Sequence, residues 1–310
     1  MKELKHKVMN FIEFQDRFST EEKIISYYVT KRYNDKCICN HCGSEKVYQR
    51  SNNLKMFQCA NCRNDFSVFT GTIFENSSTD LRKWFYAIHL FLNGKKGISG
   101  LQLQREIKVT YKTAWRMLKQ IRSAMNNQDF KDTFNTIVEI DETYVGGKPR
   151  KRNKGNKDSD RENPNKRGRG THKTPIVGVI DRENKVAYAK VAMPNKEGKK
   201  LSGKQLLSIL NEVTKKGATV ITDEFRSYNI LIKTDFIHLS VDHTKEFSNN
   251  GIHTNNIESF WATLKRGVYG IYHSVSPQHM QSYVDEFCFR YNNRNNDNMF
   301  ELLITQTIVK

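Results

Sequence analysis

Asp141, Asp223 and Glu258 are the residues of this chain best placed by type and spacing to do chemistry. Asp141 closes the apolar run Thr136-Ile137-Val138-Glu139-Ile140, and Asp223 closes Ala218-Thr219-Val220-Ile221-Thr222. Glu258 sits in Asn255-Asn256-Ile257-Glu258-Ser259-Phe260-Trp261, which reads as helix. Two acids at strand ends and one on a later helix are able to converge on a pair of divalent metals, the arrangement that stabilises attacking and leaving oxygens in phosphoryl transfer on nucleic acids. Hard carboxylate oxygens suit Mg2+ or Mn2+, with Asp141 bridging and the other two acids completing one side each. A strand-end Asp is common by itself. The trio gains weight from its order, from the 34 residues between Asp223 and Glu258, and from its companions. Asn255, Glu258, Ala262 and Lys265 recur at helical steps on one face. Glu258 and Lys265 are two turns apart, roughly 10 Å along the axis, so Lys265 and Arg266 could hold a DNA phosphate beside the metals. Glu142 and Glu224 follow the two Asp residues and should point to the opposite side of their strands. Glu139 shares the parity of Asp141 and is a candidate helper. Trp261 reads as core or as a base-stacking residue.

A second constellation is Cys39-Asn40-His41-Cys42-Gly43 with Cys59-Ala60-Asn61-Cys62, two Cys-x-x-Cys knuckles separated by 16 residues. That spacing is a structural zinc signature. Four thiolates, Cys39, Cys42, Cys59 and Cys62, leave no open coordination position, and Gly43 permits the turn beneath the first pair. Cys37 and His41 are spare donors, and Cys288 in Glu286-Phe287-Cys288-Phe289 reads as core.

These residues need a scaffold and a polyanionic partner, and the composition is consistent with both. The 310 residues are enough for two or three domains, and the formal net charge is +18. Such a charge, spread over several segments, points to nucleic acid. No run of about 18 apolar residues exists to span a membrane, and the first residues lack the apolar centre of a secretory signal. Six cysteines in a reducing compartment are then metal ligands or buried thiols.

Residues 1–36 read as helical, with Ser19-Thr20-Glu21-Glu22 as a capping box that starts on Ser19. Residues 37–70 hold the ribbon. In 71–130 the pattern is helical: Leu81, Trp84, Phe85, Ile88 and Leu92 have the spacing of a buried face. Ile98–Ile107, a short turn and Tyr111–Leu118 resemble a DNA-binding helix-turn-helix, with Thr113, Arg116 and Lys119 as exposed side chains able to reach the major groove. Residues 131–310 form an α/β (α+β) region. Strands are expected at 135–145, 174–180, 185–191, 218–222 and 236–241, and helices at 201–216, 255–267 and 277–293. This β-β-β-α-β-α/β-α order is that of an RNase H-like domain. Between the first two strands lies Lys148–Lys173, a loop with eleven Lys/Arg against three acids.

Together these segments resemble the ISXO-type insertion-sequence transposases, a family of DDE enzymes with an amino-terminal zinc ribbon. The likeness rests on Cys39–Gly43, Phe69-Thr70-Gly71-Thr72-Ile73-Phe74, Gly97-Ile98-Ser99, Tyr111–Trp115, Glu139–Gly147 and Thr222-Asp223-Glu224. It continues through His253–Trp261, Lys265-Arg266-Gly267, Asp285-Glu286-Phe287 and Arg290–Arg294. The resemblance implies metal-dependent DNA cleavage and strand transfer at the ends of an insertion sequence by Asp141, Asp223 and Glu258. Lys265 matches the fourth member of a DDEK pattern. Because the third acidic position varies in this group, Asn255 or Asn256 is also a candidate. The partners implied are double-stranded DNA, as terminal inverted repeats and target, and a second copy of the chain. The place of action would be the bacterial cytoplasm at the nucleoid, or the nucleus in a eukaryotic host. The alternatives are a catalytically silent DNA-binding regulator and a plain RNase H-like nuclease.

Overall fold

In a computed structural model, residues 9–126, 130, 133–146, 173–192, 201–241 and 253–308 are described. The basic loop at 148–172 lies outside them. The chain divides into two compact units, Met1–Asn127 with Asn295–Lys310, and Gln128–Arg294.

The first unit begins with helices α1 (Phe11–Arg17) and α2 (Glu21–Tyr33). The capping box stands on α1, where Asn10 and Glu13 satisfy each other's backbone N–H groups. At α2 the cap is Thr20, whose hydroxyl accepts from the Lys23 N–H, and not the expected Ser19. A three-stranded antiparallel ribbon follows, β1 (Val47–Arg50), β2 (Asn53–Cys59) and β3 (Asp65–Ser67). Helix α3 (Leu81–Asn93) buries the anticipated face, with Leu81, Trp84, Phe85, Ile88 and Leu92 all inside. Helices α4 (Gly100–Ile107) and α5 (Tyr111–Ala124) are separated by a three-residue turn. Lys108 adopts the left-handed conformation there, and Thr110 caps α5.

The carboxyl-terminal helix, numbered in chain order after the elements of the second unit, is α9 (Met299–Ile308), and it belongs to this first unit. That corrects the boundary expected at residue 310 for the α/β region. Phe300 packs 5.5 Å from the Phe18 ring and 6.0 Å from Phe85. Glu301 pairs with Arg17 at 2.7 Å and Lys31 at 2.8 Å. An apolar helix face finds its largest burial among these rings, and sequence order does not restrain it.

The second unit is built on a five-stranded sheet. Its strands are β4 (Ile137–Val145), β5 (Thr174–Asp181), β6 (Val186–Val191), β7 (Thr219–Asp223) and β8 (Ile237–Val241), in spatial order β6-β5-β4-β7-β8. Only β5 runs against the others, which is the RNase H-like arrangement. Helix α6 (Gly203–Val213) covers one face, burying Leu206, Ile209, Leu210 and Val213 against Val138, Ile140 and Val220. Helices α7 (Asn255–Gly267) and α8 (Met280–Asn292) cover the other with Ile257, Phe260, Trp261, Leu264, Val284 and Phe287. Gly267 lets them meet, since a Cβ there would fall 2.0 Å from Phe287 Cζ. The edge strand β6 is closed by amides of α8. The Gln281 side chain accepts from Val191 N–H and donates to Ala189 O. Asn292 does the same for Ala187, so the free edge is not left as a template for other strands.

Candidate metal and catalytic centres

The four ribbon cysteines form one cluster. Their sulfurs lie within 4.8 Å of one another, with Cys39 to Cys62 and Cys42 to Cys59 at 3.6 Å. Thiolates about 2.3 Å from a tetrahedral ion stand some 3.8 Å apart, so the donor set fits zinc. The two knuckles repeat one backbone pattern. Gly43 N–H donates to Cys39 O and Cys39 N–H to Ser44 O, while Arg63 N–H donates to Cys59 O and Cys59 N–H to Asn64 O. Gly43 and Arg63 occupy the matching left-handed position. The backbone N–H of Cys62 is the chief influence holding Cys59 toward the thiolate, at about 6. Cys37 stands outside the cluster, its thiol pushed up to about 11 by burial. His41 is exposed and outside it as well. Cys288, on α8, is buried in the core that α7 and α8 share, where burial raises its thiol.

The acids stand on the α7 face of the sheet. The parallel register pairs Glu139 with Ile221. That is the last pair of the two strands, and Asp141 and Asp223 each follow it by two residues, near enough for one carboxylate to act on the other. Both side chains are half-buried. Burial, and then the Glu142 and Asp223 carboxylates, raise the Asp141 carboxyl to about 7. Acidic oxygens that oppose each other's ionisation at neutral pH are a donor set that a divalent cation relieves. Asp223 Oδ1 also accepts from the Phe225 N–H at 3.0 Å.

Helix α7 carries the remaining candidates. Lys265 is half-buried and close enough to feel Asp141. Its ammonium is lowered by burial and by Lys173 against the opposing pull of that carboxylate. Glu258 is exposed on the first turn, with the Thr254 hydroxyl donating to Oε1 at 3.1 Å. Among the described residues the three acids do not close into a ligand cluster as the cysteines do. Arg266 is exposed and reaches Thr263 Oγ1. Asn255 is exposed, whereas Asn256 turns inward and donates to Glu139 Oε1 at 2.8 Å.

Glu139 is not a helper of the acids. It is fully buried and receives the Ile257 N–H at 3.0 Å, the Asn256 amide and Arg182 Nε at 2.6 Å. Arg182 in turn donates to the His253 carbonyl. A buried carboxylate at a helix N-terminus complements both the open N–H groups and the dipole, so Glu139 docks α7 on β4. Glu142 faces the other side, where it accepts from the Tyr228 hydroxyl at 3.1 Å. Glu224 is exposed. Trp261, whose sequence context points only to core or base stacking, is a partner of the site. Its indole N–H donates to Asp141 Oδ2 at 3.0 Å.

On α5 the expected outward trio is revised. Lys119 is exposed, with its ammonium 5.6 Å from the Trp115 ring. Thr113 is half-buried against Thr110. Arg116 turns inward to Ser77 Oγ at 3.3 Å and sits 5.9 Å over Trp84, because the buried ring offers a cation–π partner that solvent does not. Tyr111 and Lys112 are exposed beside Lys119.

Residues 133–292 match the ISXO2-like transposase domain, and residues 19–65 match the transposase zinc-ribbon domain. A protein described as uncharacterized, in transposable element ISH50 of Halobacterium salinarum, is 31% identical over 290 residues, 88% of this chain and 91% of its own length. An uncharacterized transposase-like protein of Haemophilus influenzae is 34% identical over 88 residues, 28% of this chain and 71% of its own. The Mos1 transposase paired-end complex with left transposon end overlaps 72% of this chain and 78% of its own at 12% identity and a TM-score of 0.29, too loose to carry the site's geometry.

Proposed function

Because this chain belongs to the ISXO2-like transposase family, we propose that it cuts and joins DNA at the ends of an insertion sequence, with Asp141, Asp223 and Glu258 as ligands of divalent metal. The observation that carries the reading is that Asp141 and Asp223 each stand two residues beyond the last β4–β7 pair, near enough for the Asp223 carboxylate to act on that of Asp141, with α7 docked on β4 by Glu139. Mg2+ or Mn2+ bound there would polarise the scissile phosphate and lower the pKa of the attacking water or 3′-hydroxyl.

The chain's own residues orient the substrate. Lys265, half-buried and drawn by Asp141, sets a cation where a phosphate oxygen would enter. Arg266 on the next position supplies a second, exposed cation. Glu258 is preferred to Asn256 as the third ligand, since the Asn256 amide is engaged on Glu139. The ribbon, with zinc held by Cys39, Cys42, Cys59 and Cys62, and the exposed Lys112 and Lys119 of α5 address the element ends. Joining two ends calls for at least two copies of the chain on DNA. The place of action is wherever the host keeps its DNA.

The test is cleavage and joining of DNA bearing the ends that flank the gene, wild type beside Asp223→Asn, with Mg2+, Mn2+ or EDTA. Metal-dependent nicking at the element boundary followed by joining, both absent in the variant, is the expected result. Binding without cutting by either protein under any metal would overturn it in favour of a silent regulator.

A further inference from the structure

A mid-strand glycine, a buried indole and a half-buried carboxylate meet at one point of the second unit. Asp141 on β4 pairs in register with Gly178 on β5. A Cβ at position 178 would lie 2.7 Å from Trp261 Cη2 and Cζ2, and 3.0 Å from Ile257 Cδ1. The absence of a side chain therefore creates the recess in which the indole rests. Trp261 is 4% exposed, and from this recess its Nε1–H reaches Asp141 Oδ2 at 3.0 Å. An indole N–H is a donor with no acceptor capacity, and it needs a partner when buried.

We propose that Trp261, seated over Gly178, is a positioning residue for Asp141, holding its carboxylate in the orientation that binds divalent metal. The proposal rests on the metal reading of the acids given above. The carboxylate is on a strand and the indole on a helix docked two residues away through Glu139. The hydrogen bond thus ties the two elements that contribute ligands at the ligand itself. Outer partners of this kind typically change metal affinity or activity 10- to 100-fold when removed.

The test uses the full zinc-loaded chain and measures Mn2+ binding by calorimetry beside the Mn2+ dependence of end cleavage. Trp261→Phe removes the donor and keeps an aromatic ring. Gly178→Ala keeps the donor and displaces it. Both should weaken Mn2+ binding about tenfold and shift cleavage to higher Mn2+, with the rate largely recovered at saturation and DNA-end binding unchanged. Asp141→Asn is the reference for loss of the ligand. If Asp141→Asn binds Mn2+ as wild type does, the metal reading falls and this proposal with it. If Asp141→Asn loses binding while both other variants retain the wild-type affinity, this proposal alone is overturned. Should either variant fold poorly, 15N-labelled wild type reads the same contact. The Trp261 indole N–H resonance should move as Mg2+ is added, and an unmoved resonance overturns the proposal.

Discussion

At the scale of single residues, the Asp141 carboxyl couples charge to stability. Its folded pKa is raised to about 7 from an ordinary 3.8, first by burial and then by Glu142 and Asp223. The folded chain therefore binds more protons than the unfolded chain between about pH 4 and 7. Stability is lost as pH rises through that window and levels off above it. Asp141→Asn keeps an acceptor for the Trp261 N–H and removes the charge. In zinc-loaded protein free of Mg2+ and Mn2+, it should melt with wild type near pH 4 and exceed it by about 1–3 kcal/mol at pH 8, while cleavage is abolished. Urea melts at the two pH values check the sign, and a variant less stable at pH 8 would refute the account. A second residue-scale prediction concerns Arg63, held at φ 57° where the twin knuckle has Gly43 at φ 70°. A non-glycine side chain in this conformation is strained by roughly 1–2 kcal/mol. Arg63→Gly should stabilise the zinc-loaded chain by about 0.5–1 kcal/mol after the added freedom of the unfolded chain is counted, read as a higher thermal midpoint.

At the scale of elements, the helices are fastened by a few exact contacts. Gly267 lets α7 lie against Phe287 of α8, and Gly267→Ala should destabilise the second unit by about 1–3 kcal/mol through overpacking. Calorimetric unfolding measures this, and Phe287→Leu in the same chain should recover part of the loss. The inward turn of Arg116 separates two kinds of basic residue on α5. Lys119→Ala should weaken binding to element ends and reduce the salt dependence by about one counterion. Arg116→Ala should leave that slope unchanged and cost stability instead, because its guanidinium is spent on Ser77 and Trp84. Equal slopes for wild type and Lys119→Ala would remove that lysine from the DNA-facing surface. The amides of Gln281 and Asn292 do for β6 what a further strand would do, so residues at the two ends of α8 finish the sheet.

At the scale of the whole molecule, each unit has its own core, and the candidate metal sites are divided between them. The sulfur cluster lies in the first unit and the acids in the second. Stripping zinc with a thiol reagent should abolish recognition of element ends while sparing the five-stranded sheet and its Mn2+ binding. Circular dichroism and Mn2+ calorimetry on the treated protein test this, and collapse of both together would refute it. Among the described residues no helix is long and apolar enough to cross a membrane. The net charge of +18 agrees with a protein that works on a polyanion.

What could be read from residue order was what depends on near neighbours. Two residues between paired thiolates suffice to define a metal knuckle, so the ribbon was legible. The period of Leu81, Trp84, Phe85, Ile88 and Leu92 follows from helix geometry, and the apolar runs ending on Asp141 and Asp223 follow from strand geometry, so the strands of the sheet and helices α6 to α8 lie within a few residues of where residue order puts them, whereas α9 has no counterpart in that reading. The RNase H-like order was legible for the same reason. Residue order did not reveal the partners of long-range contacts, which leave no period. A glutamate on the face shared with Asp141 looks identical whether it ligates metal or docks a helix, and only the folded chain puts Ile257 N–H on Glu139. Gly178 reads as an ordinary mid-strand glycine until the indole of a residue 83 positions later lies above it. Arg116 has the spacing of an exposed cation, yet Trp84, on another helix, draws it in. The last helix follows the α/β region in sequence and packs in the first unit, because burial of Phe300 among Phe14, Phe18 and Phe85 depends on surface area and shape, to which chain order is indifferent.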